Sequence, residues 1–174
     1  VHNLKNLPIG EKAPEIVNAV IEIPRGSRNK IEYDPELGIF KLDRVLFSAV
    51  HYPVAYGFIP GTLGGDGDPL DVLVFCDQPL ETGIMVRVYP IGGLEMHDDK
   101  GHDLKIVGVA YDDPMVNHVK EVSELQDHRR LEIEYFFDTY KDLERKEVHV
   151  GHWFDAKEAR ELIEQGVSAF KTKL

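Results

Sequence analysis

At 174 residues and 43% hydrophobic content, the chain has the length of one domain, 1–174, and enough apolar side chains to bury a core. Its net charge of −11 argues against nucleic-acid or membrane partners, because binding to either normally begins with a basic surface. The longest apolar stretches, 16–23 and 72–76, fall far short of the ~20 residues needed to cross a bilayer. Val1 to Lys5 show no secretory pattern, so a cytoplasmic location is expected. The single cysteine, Cys76, cannot form an internal disulfide and reads as packing.

In chain order, Ile16 to Ile23 is rich in β-branched residues and stopped by Pro24, as a strand would be. Lys30–Tyr33 and Gly38–Leu42 alternate polar and apolar residues around Asp34-Pro35-Glu36-Leu37-Gly38, the composition of a hairpin connection. Further β-like runs follow at Leu70–Phe75, Met85–Leu94 and Leu104–Tyr111. No repeated βαβ spacing is present, which disfavours a doubly wound sheet and favours a small twisted sheet or barrel.

The last third changes period. Ser123-Glu124-Leu125-Gln126 reads as a capping box opening a long helix with Leu131, Tyr135, Phe136, Tyr140 and Leu143 at helical spacing. Asp155-Ala156-Lys157-Glu158 opens a second helix, with Ala159, Leu162, Ile163, Gly166, Val167 and Phe170 on its apolar face. Gly166 costs that helix about 1 kcal/mol relative to Ala, which signals either close packing or a weak last turn.

The sharpest chemical feature is Gly65-Asp66-Gly67-Asp68-Pro69-Leu70-Asp71, three carboxylates within six residues. Carboxylates ~4 Å apart repel by ~4 kcal/mol at an effective dielectric of ~20, so a folded loop either protonates one or takes up a cation. A hard, oxygen-seeking ion such as Mg²⁺ answers this. Asp98-Asp99-Lys100-Gly101-His102-Asp103 forms a second acidic turn, between the runs ending at Met96 and beginning at Leu104. If the sheet curls, Asp66, Asp71, Asp98 and Asp103 meet in one bowl. Asp and Gly are also ordinary turn residues, but an EF-hand fails because Asp71 and Asp77 stand where Gly and Glu are required.

Interleaved with the acids are Lys30, Arg44, Tyr52, Tyr56, Lys105, Tyr140 and Lys141, residues suited to gripping an anion. The eight histidines show no His-Glu-x-x-His spacing, and His149 with His152 is a poor zinc pair. His97 and His102 flank the second acidic turn without an assigned role. Two other functions weigh against catalysis: a module in which metals are purely structural, and a barrel binding single-stranded nucleic acid. The first leaves the cationic and phenolic set without a purpose, and the second conflicts with the net acidity. Nucleoside triphosphate hydrolysis is a closer rival, but no pocket for a base is evident.

Taken together, these residues resemble the soluble family I inorganic pyrophosphatases of the short prokaryotic type. The resemblance spans nearly the whole chain and centres on Asp66-Gly67-Asp68-Pro69-Leu70-Asp71, the family's D-G-D-P-x-D signature. Val20–Pro24, Lys30–Tyr33, Asp43-Arg44, Tyr52–Gly57, Asp98–Lys105 and Phe136–Glu144 match in order. It implies an α+β, mainly β fold: a five-stranded OB-type barrel with flanking C-terminal helices, assembled as a homohexamer. It also implies hydrolysis of pyrophosphate with several Mg²⁺ ions, Mn²⁺ or other divalent ions being substitutes. Asp66, Asp71, Asp98 and Asp103 would be direct ligands, with Glu22 and Glu32 reaching metals through water. Lys30, Arg44, Tyr56, Tyr140 and Lys141 would hold the phosphates, supported by Lys105 and Tyr52. A water shared by two cations has its pKa lowered from about 15.7 toward ~7, providing a hydroxide nucleophile whose proton Asp68 would accept. Two departures stand out: Asp99 replaces the usual Glu, and 145–153 lacks the family's extra tryptophan and basic residues.

Overall fold

Apolar residues at alternate positions give each strand two usable faces, and here both faces are covered. Leu70, Val72 and Val74 enter one core cluster, whereas Leu73 and Phe75 enter another. In the computed structural model, which describes residues 3–173, the chain forms β1 (Val17–Ile23), β2 (Asn29–Asp34), β3 (Ile39–Val45), β4 (Ala55–Ile59), β5 (Leu70–Phe75), β6 (Met85–Asp98), β7 (Gly101–Ala110), α1 (Asp127–Thr139), β8 (His149–Asp155) and α2 (Ala156–Lys173). Val1 and His2, part of the segment without a secretory pattern, lie outside the described residues.

Strands β1, β4, β5, β7 and β6 are joined in that order, and β1 pairs again with β6, closing a five-stranded ring. β5 and β7 run parallel and their neighbours antiparallel, while β8 adds to the outer edge of β6. β2 and β3 form a separate hairpin. The expected fold class is therefore the observed one. Val17, Ala19, Ile21, Ala55, Val72 and Ile106 fill the inside of the ring, with Ala159 and Ile163 of α2 packed against them. α1 covers part of the outside with Ile133, Phe136 and Phe137.

Several expectations need correction. The capping box joins Glu121 and Glu124 around a short 3-10 turn, and α1 starts afterwards at Asp127. Its buried face carries Ile133, Phe136, Phe137 and Tyr140, while Leu131, Tyr135 and Leu143 are exposed. The helix ends at Thr139, so Leu143 lies beyond it in a 3-10 turn. α2 begins where expected, its first turn closed by Asp155 Oδ1 accepting from Glu158 N–H at 2.9 Å. Gly166 marks close packing: a Cβ there would sit 2.9 Å from Leu70 Cδ1. Among the described residues, no helix is long and apolar enough to cross a membrane.

Candidate active site

The first acidic loop is fixed from below. Thr62, fully buried, donates to Ile59 O at 2.6 Å and accepts from Leu70 N–H at 3.0 Å. Leu63 N–H reaches Gly166 O of α2 at 3.0 Å, and Gly64 N–H closes the loop onto Asp68 O at 2.7 Å. Asp66 Oδ1 accepts from Asp68 N–H at 3.0 Å, an Asx turn that orients the loop's tip. Asp71 then projects from β5 beside its parallel partner on β7, Lys105.

The second acidic segment is a hairpin tip rather than a loop, because cross-strand pairing continues to His97 with His102 and Asp98 with Gly101. Asp98 and Asp103 are thus strand residues. On β1, the pairing with β4 is irregular between Ile21 and Ile23, and such a bulge re-aims the intervening side chain, Glu22. A second irregularity follows Lys30 on β2, opposite Asp43 and Arg44.

These elements surround one cleft of about 310 Å³. Its walls include Glu22, Glu32, Asp66, Asp68, Asp71, Asp98 and Asp103. Lys30, Tyr56, Lys105, Tyr140 and Lys141 stand among them. A hollow of about 370 Å³ over α2, lined by residues such as Asp155, Lys157 and Glu161, has no comparable set of cations and phenols. The two acidic segments therefore share a cleft, as curling of the sheet required.

Lys105 is the cleft's electrostatic centre, only 4% exposed. Its Nζ lies 2.6 Å from Asp71 Oδ2, 2.9 Å from Asp103 Oδ2 and 2.9 Å from Tyr56 OH. Burial alone would lower its pKa, but Asp71 and Asp103 outweigh burial and hold the ammonium firmly charged. Burial pushes Glu22 up to about 7 against the hydrogen bond from Tyr33 N–H, with Asp71 and Glu32 adding to the rise. Burial likewise raises Asp103, aided by Asp71 and Asp98 and opposed by Lys105. Crowding of carboxylates is thus real here, and oxygen donors dominate the wall, with His102 at its rim. That combination suits hard divalent cations.

Lys30 pairs with Glu32 and lies 3.4 Å from Asp43, whereas Lys141 Nζ stands 3.6 Å from Asp98 Oδ2. Arg44 is beside the cleft rather than in its wall, facing Asp43 at 2.6 Å and Glu144 at 2.9 Å. Tyr52 is a buried support, its ring 5.6 Å from Tyr56 and 4.7 Å from Phe136. Tyr140 caps the C-terminus of α1, and burial raises its hydroxyl pKa, which favours the neutral, donating phenol.

Two participants escaped sequence reasoning. Lys5 lines the cleft and reaches Asp68 Oδ1 at 2.8 Å across 63 residues, and Glu144 reaches Arg44 across 100. Both contacts are made only by the tertiary fold. His97 and His102 flank the second acidic segment as exposed side chains, as expected, and with Glu95 they bring ligand atoms within 4.8 Å of one another.

A family model described as inorganic pyrophosphatase matches residues 19–171. The inorganic pyrophosphatase of Thermus thermophilus is 49% identical, covering 97% of this chain and 98% of its own. That of a Nostoc species is 44% identical over 97% and 99% of the two chains. Among solved structures, the Thermus thermophilus inorganic pyrophosphatase superposes with a TM-score of 0.96, covering 98% of this chain and 99% of its own. The Helicobacter pylori enzyme gives 0.91 at 39% identity, covering 95% and 98%.

Proposed function

The chain belongs to the inorganic pyrophosphatase family and is an enzyme that hydrolyses inorganic pyrophosphate, and from that premise we propose that the acid-lined cleft performs the reaction with several Mg²⁺ ions. One observation carries this reading. Carboxylates from β1, β2, the 66–71 segment and the β6–β7 hairpin line the same small cleft as Lys5, Lys30, Lys105, Lys141, Tyr56 and Tyr140.

Asp66, Asp71, Asp98 and Asp103 are the proposed direct ligands, with Glu22 and Glu32 in the outer positions. Bound Mg²⁺ supplies neutralisation of the polyanionic substrate and acidification of the attacking water, and Mn²⁺ has the same oxygen preference. The chain's own groups do the rest. Lys30, Lys141 and Arg44 hold the phosphoryl oxygens and offset charge on the departing phosphate. Tyr56 and Tyr140 donate hydrogen bonds that fix orientation, with Tyr52 packed behind Tyr56 and Lys105 holding Asp71 and Asp103 in place. Asp68, at the exposed lip of its loop, orients the water and accepts its proton.

The exposed apolar side chains Leu42, Val45 and Phe47 near the β2–β3 hairpin, and Leu131 and Tyr135 on α1, are what subunit contacts would cover. They favour self-association; the count of six comes from the family resemblance, and light scattering tests it directly. We place this single-domain enzyme in the cytoplasm.

The functional test is phosphate release from pyrophosphate as Mg²⁺ is raised. Turnover should appear with Mg²⁺ and fall about 10²–10⁴-fold in Asp68→Asn, with folding retained. Absence of phosphate release by the wild-type chain contradicts the reading, and a near-normal Asp68→Asn rate across pH removes that residue from the base role.

A further inference from the structure

Strand alternation gives the β6–β7 hairpin a second chemical face. Asp98, Asp103 and Lys105 point to the cleft, so their neighbours His97, His102 and Leu104 belong to the opposite side. Glu95 shares that side with His97, two residues along β6. His97 and His102 are direct cross-strand partners, with rings stacked at 4.5 Å and 14°. Glu95 Oε1 lies 3.6 Å from His97 Nε2 and in contact with His102 Nε2, while its Oε2 is 2.7 Å from Nδ1 of His152 on β8. Three strands therefore bring three imidazoles to one carboxylate.

The backbone makes room for this meeting. The β6–β8 pairing is irregular between Leu94 and Met96, which leaves Gly151 and His152 opposite Glu95. A Cβ on residue 151 would lie 3.1 Å from Glu95 O and 3.5 Å from its Cβ and Cγ. Glycine there leaves the Glu95 side chain clear of crowding and lets β8 bring His152 across. Glu95 is the anchored member at 18% side-chain exposure, whereas the histidines are half exposed or more and free to turn their nitrogens inward.

We propose that Glu95, His97, His102 and His152 form a binding site for a borderline transition-metal ion of the Zn²⁺ class, separate from the oxygen-lined cleft. Zn–N bonds of about 2.0–2.1 Å place tetrahedral ligand atoms ~3.3 Å apart. The ligand atoms of Glu95, His97 and His102 already lie within 4.8 Å of one another, so small side-chain rotations complete the arrangement. Donor type sorts the ions: imidazole nitrogens favour Zn²⁺, Co²⁺ or Cu²⁺, whereas the carboxylate oxygens of the cleft favour Mg²⁺. Occupancy ties β6, β7 and β8 together behind Asp98 and Asp103. His102 also borders the cleft's rim, which gives the outer ion a direct route of influence on the inner face.

The test titrates the full chain with Zn²⁺ by calorimetry, and with Co²⁺ by visible absorption, at saturating Mg²⁺ so that the carboxylate cleft is filled. Wild type should bind an additional equivalent, with the intense absorption of tetrahedral, nitrogen-ligated Co²⁺. His97→Ala and His152→Ala should each weaken it by more than the ~10–100-fold typical of losing a merely supporting partner. Asp71→Asn should retain it. Circular dichroism of the exposed histidine variants verifies that they are folded. Failure of Mg²⁺-saturated wild type to bind either ion overturns the proposal, as does binding that survives in both histidine variants but disappears in Asp71→Asn.

Discussion

The two acidic segments of the cleft are held by different forces. The 66–71 segment rests on packing and buried hydrogen bonds through Thr62, Leu70 and the backbone of Gly166. The β6–β7 tip depends instead on strand pairing, which reaches β8 at His97, on the turn in which Asp98 accepts from Lys100 N–H at 2.9 Å, and on the charges of Lys141 and Lys105 beside Asp98 and Asp103. One ligand set is prepared by the core, and the other is positioned chiefly by charge. Substitutions should therefore separate into those that act through stability and those that act through ion affinity.

The largest effect is expected where the two sides meet. Lys105→Met leaves Asp71 and Asp103 facing each other at a buried site, and removing one partner of a buried ion pair costs about 3–5 kcal/mol. Urea unfolding in chelator should show this loss, and added Mg²⁺ should restore part of it. If Mg²⁺ restores none, the two carboxylates do not share a cation.

Glu22 sharpens the comparison through pH. Its folded pKa, about 7, lies above the unfolded carboxylate value, so the folded state binds the extra proton between about 4.5 and 7. Stability without Mg²⁺ should thus fall as pH rises through that window, by on the order of 3 kcal/mol in total. Glu22→Gln should flatten this part of the pH–stability curve, and an unchanged slope would locate the titration elsewhere.

Gly166→Ala probes the packed side from outside the cleft. Its methyl group would press on Leu70 Cδ1, an overpacking that costs about 1–3 kcal/mol, offset in part by the ~1 kcal/mol of helix propensity that Ala brings. Thermal melts should drop, with Mg²⁺ affinity nearly unchanged once the variant is folded. Lys141→Ala is the counterpart on the charged side, and because it loses a single long contact, 3.6 Å to Asp98, it should have the smallest effect on stability, ~1 kcal/mol or less. The Michaelis constant for pyrophosphate should rise instead. A melt shift from Lys141→Ala as large as that from Gly166→Ala would erase the distinction.

The same division explains what was legible in the sequence. Leu70–Phe75 was readable to the residue, because it is an apolar run, broken only by Asp71, that begins right after the turn signals of 65–69. Ala55–Ile59 was not separated as a strand, since nearly all of it is buried and it shows no alternation. Met85–Asp98 and Gly101–Ala110 extend further toward each other than read, because cross-strand pairing overrode a run of turn-forming acids. The face of α1 was misjudged at Leu131 and Tyr135, whose exposure follows from which side of α1 meets the barrel rather than from the helix's own pattern.

The residues of the cleft were legible through the resemblance, and the acidic loops through their local density of charge. Lys5 and Glu144 were not, as neither lies near its partner in sequence. The Glu95–His152 cluster was invisible for a similar reason: its members come from three strands, and the β6–β8 irregularity that joins them leaves no mark in residue spacing.

The most direct test of convergence is a double-mutant cycle of Asp71→Asn and Asp103→Asn, with Mg²⁺ affinity measured by calorimetry in each protein. Shared ions predict strongly non-additive losses, with a coupling of at least ~1 kcal/mol between the two positions. Losses that simply add would mean that each acidic segment binds its own cation, contrary to a single multi-ion centre.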